Sequence, residues 1–153
     1  MKYAVAQDRD ANFQVIGGGI PFLTRITGRT FTGAANLGAQ GTTTLFTVTG
    51  DVEVFLFGTC VTDLVGGATY QIGTPTNVSG LINQTATAID ANEAFQYNGT
   101  PASLAAMYDN GNIIANGEDI VETISVADIT AGKINLYCFW RPLSSTGNVV
   151  AAV

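Results

Sequence analysis

The sequence contains no histidine. That removes the commonest general base and the commonest metal ligand at neutral pH, and it excludes the Ser-His-Asp form of nucleophilic catalysis. Charge is scarce too. Asp, Glu, Lys and Arg make up 12 % of the 153 residues, about half the usual share for a soluble domain. The basic residues are scattered from Lys2 to Arg141, form no stripe and leave a net charge of −6. Nucleic-acid binding draws its affinity from Lys and Arg on phosphates, so no nucleic-acid partner is expected. The two cysteines, Cys60 and Cys138, form no CxxC pair, which leaves zinc and redox motifs without support. They pair with each other only if their strands lie side by side at disulfide distance. Otherwise they are two buried thiols, a common use of cysteine in a core. No stretch approaches the ~20 apolar residues of a membrane span, and the opening MKYAVAQDRDANF, with Asp8, Arg9 and Asp10 close together, does not read as a signal peptide. Neither a sustained heptad nor a solenoid repeat is visible.

What the chain does have is apolar residues, 46 % of the total, arranged in short alternating runs. Thr42 to Val61, TTTLFTVTGDVEVFLFGTCV, reads as two strands of a hairpin joined at Gly50-Asp51. Phe46 and Val48 share one side of the first strand; Val52, Val54 and Leu56 share one side of the second. The second strand carries Phe55 and Phe57 on its other face. A strand apolar on both faces is covered on both, by a second sheet or another subunit. Lys133 to Arg141, KINLYCFWR, repeats that property and ends at Pro142. Both strands are expected at the centre of the fold. Between and around them, turn signals recur every ~8–12 residues, the spacing of a sandwich or barrel. Arg29 to Leu37, Ala68 to Gly73, Leu81-Ile82 with Thr85 to Ile89, Ala94 to Tyr97 and Asp119 to Val126 read as further strand segments, and Asn112 to Ala115 is short and apolar. Thr74 to Gly80 reads as a loop and Ser144 to Gly147 as the start of a polar tail; Pro101 to Met107 is the one segment suited to a helical turn. The expected fold is therefore all-β: an antiparallel β-sandwich of about eight or nine strands, jelly-roll-like.

Residues 1–24 read as an extended arm and residues 25–153 as the sandwich domain. The triplet Gly17-Gly18-Gly19 is a permissive hinge. It is not a phosphate loop, because no Lys follows in a GK[ST] pattern and GGGIPF opens no helix. Acid pairs at Asp51 and Glu53, and at Glu118 and Asp119, sit beside turns where carboxylates are ordinarily solvated and guard strand edges. Asp90-Ala-Asn-Glu93 and Asp109-Asn-Gly-Asn112 lack the spacing of a twelve-residue calcium loop and read as Asx turns. No catalytic residue, cofactor or metal is expected. The low charge points to a surface at home against other subunits, with a solvated surface rich in Thr, Ser, Asn and Gln as the alternative. The candidate contact residues are Tyr3, Phe13, Ile16 and Phe22 on the arm and Phe55 and Phe57 on the central strand.

Three stretches carry a resemblance: FTVTGDVEVFLFGTC (Phe46 to Cys60), INQTATAIDANEAF (Ile82 to Phe95) and IIANGEDIVETISVADITAGKINLYCFWRPLSSTGNVVAA (Ile113 to Ala152). Over roughly the C-terminal two thirds, the chain resembles a family of small virion proteins of tailed bacteriophages. That resemblance implies a capsid decoration or cement protein: a homotrimer on the outer surface of the head, made in the host bacterial cytoplasm, with the major capsid protein as its partner and a role in stabilising the shell. It supplies no catalytic residue to carry over. The alternative is a tail or fibre component that binds a host receptor or glycan, with Tyr70, Tyr97 or Tyr108 as exposed pocket aromatics. Neither reading involves a membrane.

Overall fold

The computed structural model of the chain describes residues 22–86, 89–96 and 112–153. They form ten strands: β1 (Phe22–Thr30), β2 (Gly41–Thr49), β3 (Val52–Val65), β4 (Thr69–Thr74), β5 (Asn77–Ala86), β6 (Ala94–Phe95), β7 (Asn112–Ile114), β8 (Ile120–Ser125), β9 (Ala131–Pro142) and β10 (Asn148–Ala151). One sheet has the order β1-β9-β3-β6, with β7 also paired to β3; the other runs β10-β2-β8-β4-β5. All ladders are antiparallel. The protein is thus an antiparallel β-sandwich. Four ladders nest inside one another: β1 with β9, β2 with β8, β3 with β6 and β7, and β4 with β5. The chain behaves as one long ribbon doubled back at the β4–β5 turn, then wound so that β9 meets β3 and β8 meets β4. That winding is the jelly roll. Among the described residues no helix is long and apolar enough to cross a membrane.

The two strands apolar on both faces are direct neighbours at the centre of the first sheet. Their register pairs Val54 with Trp140, Leu56 with Cys138 and Cys60 with Ile134 on one side, and Phe55 with Phe139 and Phe57 with Tyr137 on the other. Side chains alternate along both, so the first set enters the core and the second faces outward. Opposite the inner set, the second sheet contributes Phe46, Val48, Tyr70, Ile72, Ile120 and Ile124, all buried.

Several boundaries differ from the sequence reading. β2 and β3 do not pair: the turn at Gly50 (φ 64°) carries the chain from one sheet to the other. Phe46 and Val48 therefore face Val52, Val54 and Leu56 across the core instead of lying beside them. Alternation marks which face of a strand is buried, and facing strands satisfy it as well as paired ones. The β4–β5 connection is a tight hairpin in which Thr74 pairs with Asn77, so the Thr74–Gly80 loop contracts to Pro75 and Thr76. The strand expected from Arg29 to Leu37 ends at Thr30, and a turn-rich loop follows with Gly33, Asn36 and Gly38 at positive φ. Phe22 to Thr24, assigned to the arm, already pair with Trp140, Phe139 and Cys138. The tail forms β10, whose Val149 is buried and pairs with Val48. Pro101 to Met107 lies outside the described residues.

Gly58 sits on the inner face of β3, and the ring of Phe95 from β6 lies directly over its Cα; a Cβ there would collide with that ring. Phe95 in turn meets Tyr70 edge-on, with centroids 6.2 Å apart. Overpacking of this kind costs about 1–3 kcal/mol. Gly58→Ala is expected to lower the free energy of unfolding by that amount in urea titration, whereas Gly67→Ala, where the added carbon meets nothing within 4 Å, is expected to change it far less.

Candidate functional site

The outer face of the first sheet is built by parity from β1, β9, β3 and β7. Phe55 stands opposite Phe139, which stands opposite Leu23; Phe57 stands opposite Tyr137, which stands opposite Arg25; Glu53 lies between Arg141 and Ile113. The rings pack on one another. Phe57 stacks on Tyr137 with centroids 5.0 Å apart and on Phe139 at 6.1 Å, and it meets Phe55 at 6.0 Å. This mutual packing leaves the four aromatics half-buried, while Leu23 is 46 % and Ile113 70 % exposed. Arg141 and Glu53 form an ion pair at one margin. The outer face of the second sheet is different in kind. Thr42, Thr47 and Thr49 are exposed, Thr44, Thr69, Gln71, Thr123 and Ser125 are half-buried, and the Thr42 and Thr123 hydroxyls lie 3.3 Å apart. One side of the sandwich is thus hydroxyl-rich and the other aromatic.

Of the candidate contact residues, Phe55 and Phe57 come together on this surface. Phe22 does not join them. It pairs with Trp140 and so points to the opposite side of the sheet, where it stacks on the indole at 4.7 Å. The Trp140 indole N–H donates to Thr24 Oγ1 at 3.0 Å, and that hydroxyl donates to the Val149 carbonyl at 2.8 Å, linking the edges of the two sheets. Leu23, one residue on, occupies the place on the aromatic face. Tyr3, Phe13 and Ile16 lie outside the described residues, as do Tyr97 and Tyr108. Tyr137 and Phe139 belong to the surface as firmly as Phe55 and Phe57. Their signal was present in the alternation of KINLYCFWR, but the pairing of that strand with β3 was not.

Tyr70 is not an exposed pocket aromatic. It is fully buried, and its hydroxyl donates to Glu122 Oε2 at 3.0 Å. Glu122 also takes both ends of the Arg29 fork: Nε donates to Oε2 at 3.0 Å and Nη2 to Oε1, while Nη2 donates further to the Asn36 carbonyl at 2.9 Å. The guanidinium carbon lies 5.5 Å from the centre of the Phe31 ring. Arg29 belongs to the first sheet, Glu122 and Tyr70 to the second, so the network ties one layer to the other. A bulge in β1 makes this possible: Ile26 pairs with Leu136 and Arg29 with Ile134, one residue more on β1 than on β9, with Gly28 at φ 71°. In a regular strand Arg29, three residues after the inward Ile26, would point to solvent; the bulge turns it inward. Burial pushes the Glu122 carboxyl upward, and the Arg29 and Tyr70 contacts oppose that rise. Burial and then the Glu122 charge raise the Tyr70 phenol well above its ordinary value.

This site is enclosed and fits a structural lock. Arg29→Met strands a carboxylate in the core and is expected to cost about 3–5 kcal/mol in denaturant unfolding; Arg29→Met with Glu122→Leu and Tyr70→Phe is expected to recover most of that loss.

Cys60 and Cys138 are both free and buried. Burial pushes the Cys138 thiol up to about 12; the Cys60 thiol is raised by burial and by Asp63. A group whose folded value is raised keeps its proton longer in the folded state. Its contribution is intact below the unfolded value and is lost as pH rises toward the folded one. Stability is thus expected to fall between pH 9 and about 12, by up to about 1.4 kcal/mol per pH unit from Cys138 alone. Cys138→Ala should remove that part of the slope in unfolding measured across the range, leaving the Cys60 part above pH 9 and the Tyr70 part above pH 10.

The remaining polar candidates do not converge. Asp51 Oδ1 accepts from the Asn116 N–H at 2.9 Å, and Glu53 is held by Arg141. Glu118 accepts from the Thr76 hydroxyl at 2.7 Å and Asp119 from the Val48 N–H at 3.1 Å. Glu93 accepts from the Asp90 N–H at 2.9 Å, closing a turn. Among the described residues no group of three or more Cys, Asp or Glu is placed to hold a metal ion. A groove of about 340 Å³ between the β4–β5 hairpin and β7 is lined by Thr74, Asn77, Asn112, Ile113, Asn116 and Glu118, among others. Its described lining contains no aromatic ring. In comparison with protein-family models, curated proteins and solved structures, the chain matches none.

Proposed function

We propose that the protein is structural and not catalytic: a virion component that binds the outer surface of a phage head as a homotrimer, contacts the major capsid protein and reinforces the shell. The aromatic face of the first sheet carries this reading. Phe55, Phe57, Tyr137, Phe139 and Leu23 form one contiguous apolar surface on a rigid support, of the kind that marks protein contacts. The rings are pre-packed, so little side-chain freedom is left to lose on binding. Many copies on a particle add avidity, and each contact can be modest. The resemblance of three stretches of the chain to virion proteins of tailed phages supports the location. The second reading, a tail component that takes a glycan or host receptor, has the Thr- and Asn-lined groove in its favour but no stacking ring beside it.

The test is reconstitution on shells that lack the protein. The wild-type chain is expected to bind at many copies per shell and to raise the temperature at which shells release their contents. Phe57→Asp is expected to fold, with an unchanged far-ultraviolet circular dichroism spectrum, and to lose binding by at least about tenfold. Equal binding by Phe57→Asp would remove the aromatic face from the contact. Binding at only a few copies per particle, at the tail, would favour the second reading.

A further inference from the structure

We propose that the aromatic face docks onto a second copy of this chain head to tail, against the acidic loop end of its neighbour, with Arg25 meeting Asp90. The inference rests on the assembly reading above and names the partner of that same surface.

The chain is acidic overall, at −6, yet the aromatic face carries Arg25, Arg141 and, at its border, Lys133. Arg141 is neutralised by Glu53. Arg25 is exposed beside Tyr137 and forms no ion pair among the described residues. Any partner that covers the rings also strips water from this guanidinium, so it must bring a carboxylate. A symmetric face-to-face dimer fails this requirement: Glu53, the acid on the face, is engaged, and the two faces would present cations to each other. The opposite arrangement succeeds. At one end of the sandwich the end of β3 and the β5–β6 and β8–β9 connections bring Asp63, Asp90, Glu93 and Asp128 together. The Ala91 N–H donates to Asp63, the Leu64 N–H to the Ile89 carbonyl and the Thr130 N–H to the Val65 carbonyl. Asp63, Glu93 and Asp128 already accept backbone N–H groups. Asp90 is exposed and makes no ion pair among the described residues. A contact between two different surfaces of identical chains propagates and closes into a ring when the rotation permits.

The experiment is sedimentation equilibrium and native mass spectrometry on the full chain. Wild type is expected to associate into a closed species. Arg25→Glu and Asp90→Lys, each alone, are expected to weaken association about tenfold or more, and the double variant to return to within about threefold of wild type. A merely structural role for either residue would give no recovery. A wild-type chain that stays monomeric, single variants that associate like wild type, or a double variant no better than the singles would overturn the proposal. If shells still lose the Phe57→Asp chain while the charge variants associate normally, the head-to-tail contact falls and the assembly reading stands.

Discussion

Everything in this molecule depends on one ladder, β3 against β9. It is the longest pairing in the sandwich, and both of its faces are apolar. The inner face seeds the core: Val54 beside Trp140, Leu56 beside Cys138 and Cys60 beside Ile134 lay down the floor on which Phe46, Tyr70 and Ile120 rest. The outer face is the consequence of the same pairing. Once Val52, Val54 and Leu56 are committed inward, Phe55 and Phe57 have nowhere to go but out, and β9 adds Tyr137 and Phe139 in register. The core and the exposed aromatic surface are therefore one construction seen from two sides.

The polar interior serves that construction. Burying Arg29 and Glu122 is costly, and the pair persists because the guanidinium fork, the Tyr70 hydroxyl and the Asn36 carbonyl satisfy one another. It spans the layers, with Arg29 on the first sheet and Glu122 and Tyr70 on the second. A sandwich held by apolar contacts alone tolerates sliding; an ion pair that crosses the layers and depends on a one-residue bulge does not. The second sheet answers with a hydroxyl-covered outer face, so the particle presents a wetted side and an aromatic side. That asymmetry underlies the proposed assembly role.

The sequence made some of this legible and concealed the rest, for identifiable reasons. Alternation in Val52 to Cys60 and in Ile134 to Trp140 pointed to all-β structure, two central strands and the outward Phe55 and Phe57, because burial writes itself into period two. It could not distinguish pairing from facing, which is why the Gly50 turn read as a hairpin when it is a crossing. Phe22 was grouped with Phe55 by hydrophobicity; its pairing with Trp140 sends it to the other side. The Arg29–Glu122–Tyr70 network was half written: Glu122 sits on the same face as Ile120 and Ile124, a carboxylate in an apolar row. Its partner was hidden by the bulge at Gly28, which no periodicity announces. Tyr70 shares its strand face with Ile72, and that alternation marks the face as buried; only its polar hydroxyl made an exposed pocket role conceivable.

The outer face of the first sheet is proposed as a contact surface. Hydroxyl-radical footprinting of the full chain, assembled on shells and free at low concentration, tests it most directly, read out residue by residue. Phe55, Phe57, Tyr137 and Phe139 are expected to lose reactivity together on assembly while the C-terminal Val150 and Val153, both exposed, keep theirs. Unchanged reactivity at the four rings, with protection appearing on the threonine-rich face, would contradict it.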